Sequence, residues 1–145
     1  VARAFAALTE RAARMPVALD GIYVQQMIKG GSELLVAAFR DPMFGLMISC
    51  GAGGGLTELV DDVVTRPAPV DEAAAADMIA RLRSYRHLRP GPDDALRLPA
   101  AAFVAAFSRL AASAPWTRFT FEINPVKWTS DRAVAVDGLL LVEQD

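Results

Sequence analysis

The feature that most limits the fold is how little chain separates the extended runs. Glu33-Leu34-Leu35-Val36-Ala37-Ala38-Phe39 is followed, after Arg40-Asp41-Pro42, by Phe44-Gly45-Leu46-Met47-Ile48-Ser49. A parallel pair needs a crossover of a dozen or more residues, so so short a break admits only an antiparallel connection. Upstream, Ile22-Tyr23-Val24-Gln25-Gln26-Met27-Ile28 leads through Lys29-Gly30-Gly31-Ser32 into the first run, which predicts a hairpin around Gly30-Gly31. A further extended run over 56–66 carries Glu58, Asp61 and Asp62 among branched residues and ends at Pro67-Ala68-Pro69. Near the carboxyl end, 118–124 and 133–142 predict a last hairpin.

Helices fill the remaining segments. Val1, Phe5, Leu8, Ala12 and Met15 recur at helical spacing until Pro16 ends the pattern. This helix opens at Val1 without an initiator methionine or a cap, so the chain is expected to start upstream of Val1. Asp71 can cap a helix running through Arg83, with Ala75, Met78, Ile79 and Leu82 as its buried stripe. After the loop-like Arg89-Pro90-Gly91-Pro92-Asp93-Asp94, Pro99 opens another helix with Phe103, Phe107, Leu110 and Ala111 as apolar positions. The expected architecture is a single α+β domain over residues 1–145, a mainly antiparallel sheet flanked by helices.

Composition removes several functions. A net charge of -2 and the lack of a basic tail argue against nucleic-acid binding, which needs a basic face for phosphates. No apolar run approaches the roughly 20 residues of a membrane span, and there is no basic-then-apolar leader pattern. One cysteine, Cys50, cannot build a disulfide framework or a four-cysteine zinc site, and it favours a reducing, cytoplasmic setting. It reads as a small core residue. Hydrolase or histidine-metal chemistry would rest on His87 alone, and its arginine-rich surroundings suggest an exposed position.

The last hairpin carries the sharpest inference. The two-residue period sends Phe119, Phe121 and Ile123 to one face and Thr120, Glu122 and Asn124 to the other. With the turn centred between Ser130 and Asp131, Asn124 falls opposite Asp137. Directly opposed Cβ atoms lie about 4.5–5.5 Å apart, so the amide and the carboxylate can touch one cation, with Glu122 next along the same face. Oxygen donors without nitrogen or sulfur suit a hard ion such as Mg²⁺. Spacing alone equally allows a solvated polar face with an Asx turn before Pro125.

The glycines at 51 and 53–55 complete neither a dinucleotide fingerprint nor a P-loop, and they read as a tightly bent or mobile strand connection. Arg66 and the acids before it suit either nucleotide phosphates and metal or a polar strand face. Glu33, just after Gly30-Gly31, is by default an exposed strand start.

Six pieces in this order resemble a known family: Tyr23-Val24-Gln25-Gln26-Met27, Gly30-Gly31-Ser32-Glu33-Leu34, Arg40-Asp41-Pro42-Met43-Phe44-Gly45, Gly51-Ala52-Gly53-Gly54, Glu58-Leu59-Val60-Asp61-Asp62 and Glu122-Ile123-Asn124-Pro125. From about Val1 to Val142 the chain resembles the ATP-grasp module of NDP-forming acyl-CoA synthetases, nearest the ADP-forming acetyl-CoA synthetases. The resemblance implies ATP held between two α+β subdomains, with Val24, Gln25, Gln26 and Met27 as the hinge strand whose backbone contacts adenine. It implies a ribose contact at Glu33 and Mg²⁺ held by Asn124 and Asp137. It also implies conversion of acid, CoA and ATP to acyl-CoA, ADP and phosphate through an acyl phosphate and a phosphohistidine.

The chain departs from the family in several places. Gln26 stands where the family usually has Glu, and Arg86-His87-Leu88-Arg89-Pro90-Gly91-Pro92 resembles a shortened form of a Gly- and Arg-rich loop. The amino-side subdomain, with its lysine and catalytic histidine, and the CoA-binding domain have no counterpart here, and His87 does not match that histidine. The resemblance thus implies a carboxyl-side subdomain that supplies no catalytic residue, is inactive alone, and has ATP or ADP and the missing domains as its partners. The alternative is a non-catalytic regulatory module of the kind fused to lysine acetyltransferases.

Overall fold

The computed structural model describes residues 1–16, 20–56, 61–85 and 98–143. The elements are α1 (Ala2–Ala12), β1 (Ser32–Asp41), β2 (Gly45–Ala52), a 3₁₀ turn (Gly54–Leu56), β3 (Val63–Pro67), α2 (Glu72–Ala80), α3 (Leu98–Ala112), β4 (Phe119–Trp128), β5 (Ala133–Ala135) and β6 (Gly138–Val142). All strand pairs are antiparallel, in the order β3-β2-β1-β4-β5, with β6 also on β4. The mainly antiparallel α+β architecture read from the sequence is therefore present.

Register explains which side chains form the core. Arg66, Ile48, Ala38, Phe121 and Leu140 lie in one row across the sheet, and Val64, Cys50, Val36, Ile123 and Gly138 in the next but one. These rows face α2 and α3. Leu34, Val36, Ile48, Cys50, Val126 and Trp128 are buried there against Met78, Ile79, Val104 and Phe107. Small residues on the helices, Ala75, Ala100, Ala101 and Ala111, let the layers close tightly. The Phe107 and Phe121 rings meet at 5.1 Å, and the buried Ser108 hydroxyl accepts the Val70 amide at 3.0 Å. The intervening row, Thr65, Ser49, Ala37, Glu122 and Leu139, points to the face opposite α2 and α3.

Three sequence expectations are corrected. Residues 22–28 form no strand, and Tyr23, Val24 and Met27 are exposed. The edge of β1 expected to receive them is taken by the ten-residue β4, which buries Ile123, Val126 and Trp128 by pairing there. The expected face of α3 is present only in part: Phe107 and Ala111 are buried as expected, with Val104 and Ser108 beside them, whereas Leu110 is exposed and Phe103 only partly covered. Finally, α2 ends at Ala80 rather than near Arg83. Asp71 caps its start through the Ala74 amide at 2.7 Å, but past its end the chain turns so that the amides of Arg83 and Ser84 reach the Asp62 carboxylate, at 3.0 and 2.7 Å.

Asp62 is thus a buried strut rather than a strand-face acid. Burial by itself would raise its carboxyl, but the Ser84 hydroxyl, the two amides and the Arg83 guanidinium together hold it below the ordinary carboxylate range. A depressed native carboxyl stabilises the fold above its unfolded value of about 3.9, and that stability is lost as pH falls. In urea unfolding, the wild-type free energy is expected to fall more steeply than that of Asp62→Asn on acidification from pH 5. Cys50 beneath it is fully buried, and burial first, then the Asp62 charge, pushes its thiol up to about 12. The native chain at pH 8 should leave Cys50 unmodified by a disulfide reagent, with full reaction in denaturant.

Candidate functional site

The strands place Glu122, Asn124 and Asp137 together on the side opposite α2 and α3. The hairpin register is the one expected from the sequence: Glu122 pairs with Leu139, Ile123 with Gly138, and Val126 with Ala135. Between these pairs the Asn124 amide donates to the Asp137 carbonyl at 3.1 Å, and the Val136 amide to the Pro125 carbonyl at 3.0 Å. Pro125 leaves this ladder in step. It does coincide with a slip against β1, where Leu34 pairs with Val126 but Val36 with Ile123. Asn124 and Pro125 together face the single Leu35, forming a bulge of the kind that re-aims side chains.

The bulge turns Asn124 toward the glycine turn after β2. Its Oδ1 accepts the Gly54 amide at 2.9 Å, and because an N–H requires an acceptor, this contact fixes which end of the amide is oxygen. Its Nδ2 then faces Glu122 Oε1 at 3.5 Å. Asp137 Oδ1 accepts the Gly138 amide at 2.8 Å. Glu122, Asn124, Asp137, Gly138 and Leu139 line a hollow of about 210 Å³. Two carboxylates and an amide oxygen fit a hard divalent ion, with room for water or phosphate oxygens to complete its shell. Among the described residues no group of three histidine, cysteine or acidic side chains forms a site by itself, so external ligands would be needed.

Glu33 stands across the glycine turn from Asn124. It pairs across strands with Lys127, whose Nζ is 3.2 Å from Glu33 Oε1, and its carbonyl accepts the Gly53 amide at 3.1 Å. Arg66 is elsewhere. It occupies the β3 edge, three strands or roughly 14 Å from β4, in a helix-facing row, and its guanidinium approaches Asp77 of α2 at 3.5 Å. Val24, Gln25, Gln26 and Met27 lie outside the sheet and are exposed. Glu58 and the loop containing His87 lie outside the described residues. The sequence reading missed Lys127 and the Gly54 amide. The glycine run signalled a sharp bend, but the partner of Lys127 depends on β1 pairing with β4, which no local pattern reveals.

The ATP-grasp domain family matches residues 1–142. This chain belongs to that family. The ATP-grasp chain is 34% identical over 97% of its length to the ADP-forming acetate–CoA ligase I of Archaeoglobus fulgidus, and 31% identical over 86% to the beta subunit of the corresponding Pyrococcus furiosus ligase. It spans 21% and 54% of the length of those two relatives. The ATP-grasp fold is also shared with acetyl-coenzyme A synthetase 1 of Ca. Korarchaeum cryptofilum in complex with coenzyme A, acetyl-coenzyme A and a phosphorylated phosphohistidine segment. That match has a TM-score of 0.81 and 28% identity, covering 98% of this chain and 65% of the other. A second structure of that synthetase, with coenzyme A and Mg-AMPPCP, matches with a TM-score of 0.66 and 28% identity over 80% of this chain and 55% of the other. Among the described residues of the ATP-grasp chain, no helix is long and apolar enough to cross a membrane.

The separation of Arg66 from the oxygen cluster has a measurable consequence. Arg66→Ala is expected to leave any divalent-ion binding at the hollow unchanged and to cost at most about 1 kcal/mol of stability, since its pair with Asp77 is exposed. Urea unfolding and Mn²⁺ titration of the variant check both parts.

Proposed function

We propose that this chain is the carboxyl-side ATP-grasp subdomain of an NDP-forming acyl-CoA synthetase. Asn124, Asp137 and Glu122 hold Mg²⁺, Glu33 contacts the ribose, and the backbone of 24–27 meets the adenine. The observation that carries this reading is the pair of oxygen-bearing residues Asn124 and Asp137, brought face to face by the hairpin register beside Glu122. Support comes also from the ADP-forming ligases among the relatives and from the Mg-AMPPCP in one structural neighbour.

Bound there, Mg²⁺ would supply charge neutralisation for the nucleotide phosphates, where catalysis is mainly positioning and electrostatics. This chain's part is to fix the ion and the sugar. The amino-side subdomain and the CoA-binding domain would come from other parts of the enzyme, which would convert an acid, CoA and ATP to acyl-CoA, ADP and phosphate. Arg66, on the far edge strand, would reach phosphates only through a rearrangement of β3. No observation favours the regulatory-module reading over this one, and the relatives named above are acid–CoA ligases or their subunits.

Calorimetric titration of the chain with ADP is expected to show weak binding that requires Mg²⁺ and disappears in Asn124→Ala/Asp137→Ala. Undiminished Mg²⁺-dependent binding in that double variant overturns the reading.

A further inference from the structure

We propose that the Gly53–Gly54 turn is a positioning element that ties the sugar side of the site to its metal side, so that Glu33 and Asn124 act as one unit. The proposal rests on the metal and ribose roles argued above. The turn holds both residues through consecutive amides: Gly53 N–H donates to the Glu33 carbonyl at 3.1 Å, and Gly54 N–H to Asn124 Oδ1 at 2.9 Å. The Glu33 side chain lies over the Gly54 α-carbon, where a Cβ would overlap Oε2. On its other side Glu33 is held by Lys127 at 3.2 Å, with both side chains mostly shielded from solvent. Lys127 stands three residues beyond Asn124 on the same strand, so the chain of contacts runs from β4 through Glu33 and the turn and back to β4.

Each glycine is required for a different reason. A Cβ on Gly53 would come within 2.5 Å of the Leu34 carbonyl carbon, a backbone collision that side-chain motion cannot relieve. Gly54 has φ +64°, where other residues are strained, and any side chain there displaces the Glu33 carboxylate. The Gly54 amide also fixes the direction of Asn124 Oδ1. Residues that orient a ligand without touching the ion typically change metal affinity by about 10- to 100-fold. By the same contacts, a change at Glu33 or Lys127 is transmitted to Asn124.

The test uses Gly54→Ala and, as a variant that leaves the turn's backbone intact, Lys127→Met. Paramagnetic broadening by Mn²⁺ alone reports metal affinity, the Asn124 side-chain amide resonances of the metal-free chain report the coupling, and thermal melting reports the fold. The expected result is an Asn124 amide shift in both variants and a Mn²⁺ affinity at least about 10-fold weaker in Gly54→Ala, with Lys127→Met melting within a few degrees of wild type. If Lys127→Met melts like wild type and leaves the Asn124 resonances unmoved, the coupling is overturned, whatever Gly54→Ala does to folding. If the wild-type chain binds no Mn²⁺ while the resonances still move together, the coupling stands and the metal role proposed for the site fails.

Discussion

β4 is hydrogen-bonded along both edges, to β1 on one side and to β5 and β6 on the other. Its two ladders keep different steps: the outer one is regular, while the inner one slips by a residue at Asn124-Pro125. A strand held on both sides cannot relax such a slip by sliding, since a one-residue shift would turn Ile123, Val126 and Trp128 out of the core. The slip therefore stays where it is and aims Asn124 at the glycine turn. The contact between Asn124 and the Gly54 amide follows from that one irregularity.

The sheet also divides the chain's work between its faces. Ile48, Val36, Cys50, Phe121 and Ile123 supply the apolar area that holds α2 and α3, and they leave the opposite face free to carry Glu33, Glu122 and Lys127. Asp62 closes the far side of the fold by accepting hydrogen bonds from Arg83 and Ser84, a role that fixes the segment after α2 without entering the site. α1 shows the contrast. Its amphipathic pattern is clear in the sequence, yet it has no buried residue, so its apolar stripe contributes nothing to this core.

Local patterns revealed those parts of the structure that depend on neighbours in the chain. The β1–β2 connection, the Asp71 cap and the register of the last hairpin were legible because short loops and a side chain three residues from its amide leave few alternatives. The errors all concern partners distant in sequence. Residues 22–28 have strand-like composition, but β1 offers only two edges, and β2 and β4 bury more by occupying them. Phe103 and Leu110 looked like part of the core face of α3 with Phe107 and Ala111, whereas the sheet selected Val104 and Ser108 beside those two.

The sequence by itself determined the antiparallel α+β class, the pairing of Asn124 with Asp137 and the family resemblance, because alternation and short turns are properties of contiguous residues. Only the tertiary structure decided that β4 would lie beside β1, and that contact joins Glu33 to Lys127, brings Gly54 to Asn124 and leaves Arg66 three strands away. The reason is that strand order is settled by competition for sheet edges among segments far apart in the chain, as in the pairing of Ser32 on β1 with Trp128 on β4. That competition is won by total buried area and register, quantities that no single segment contains.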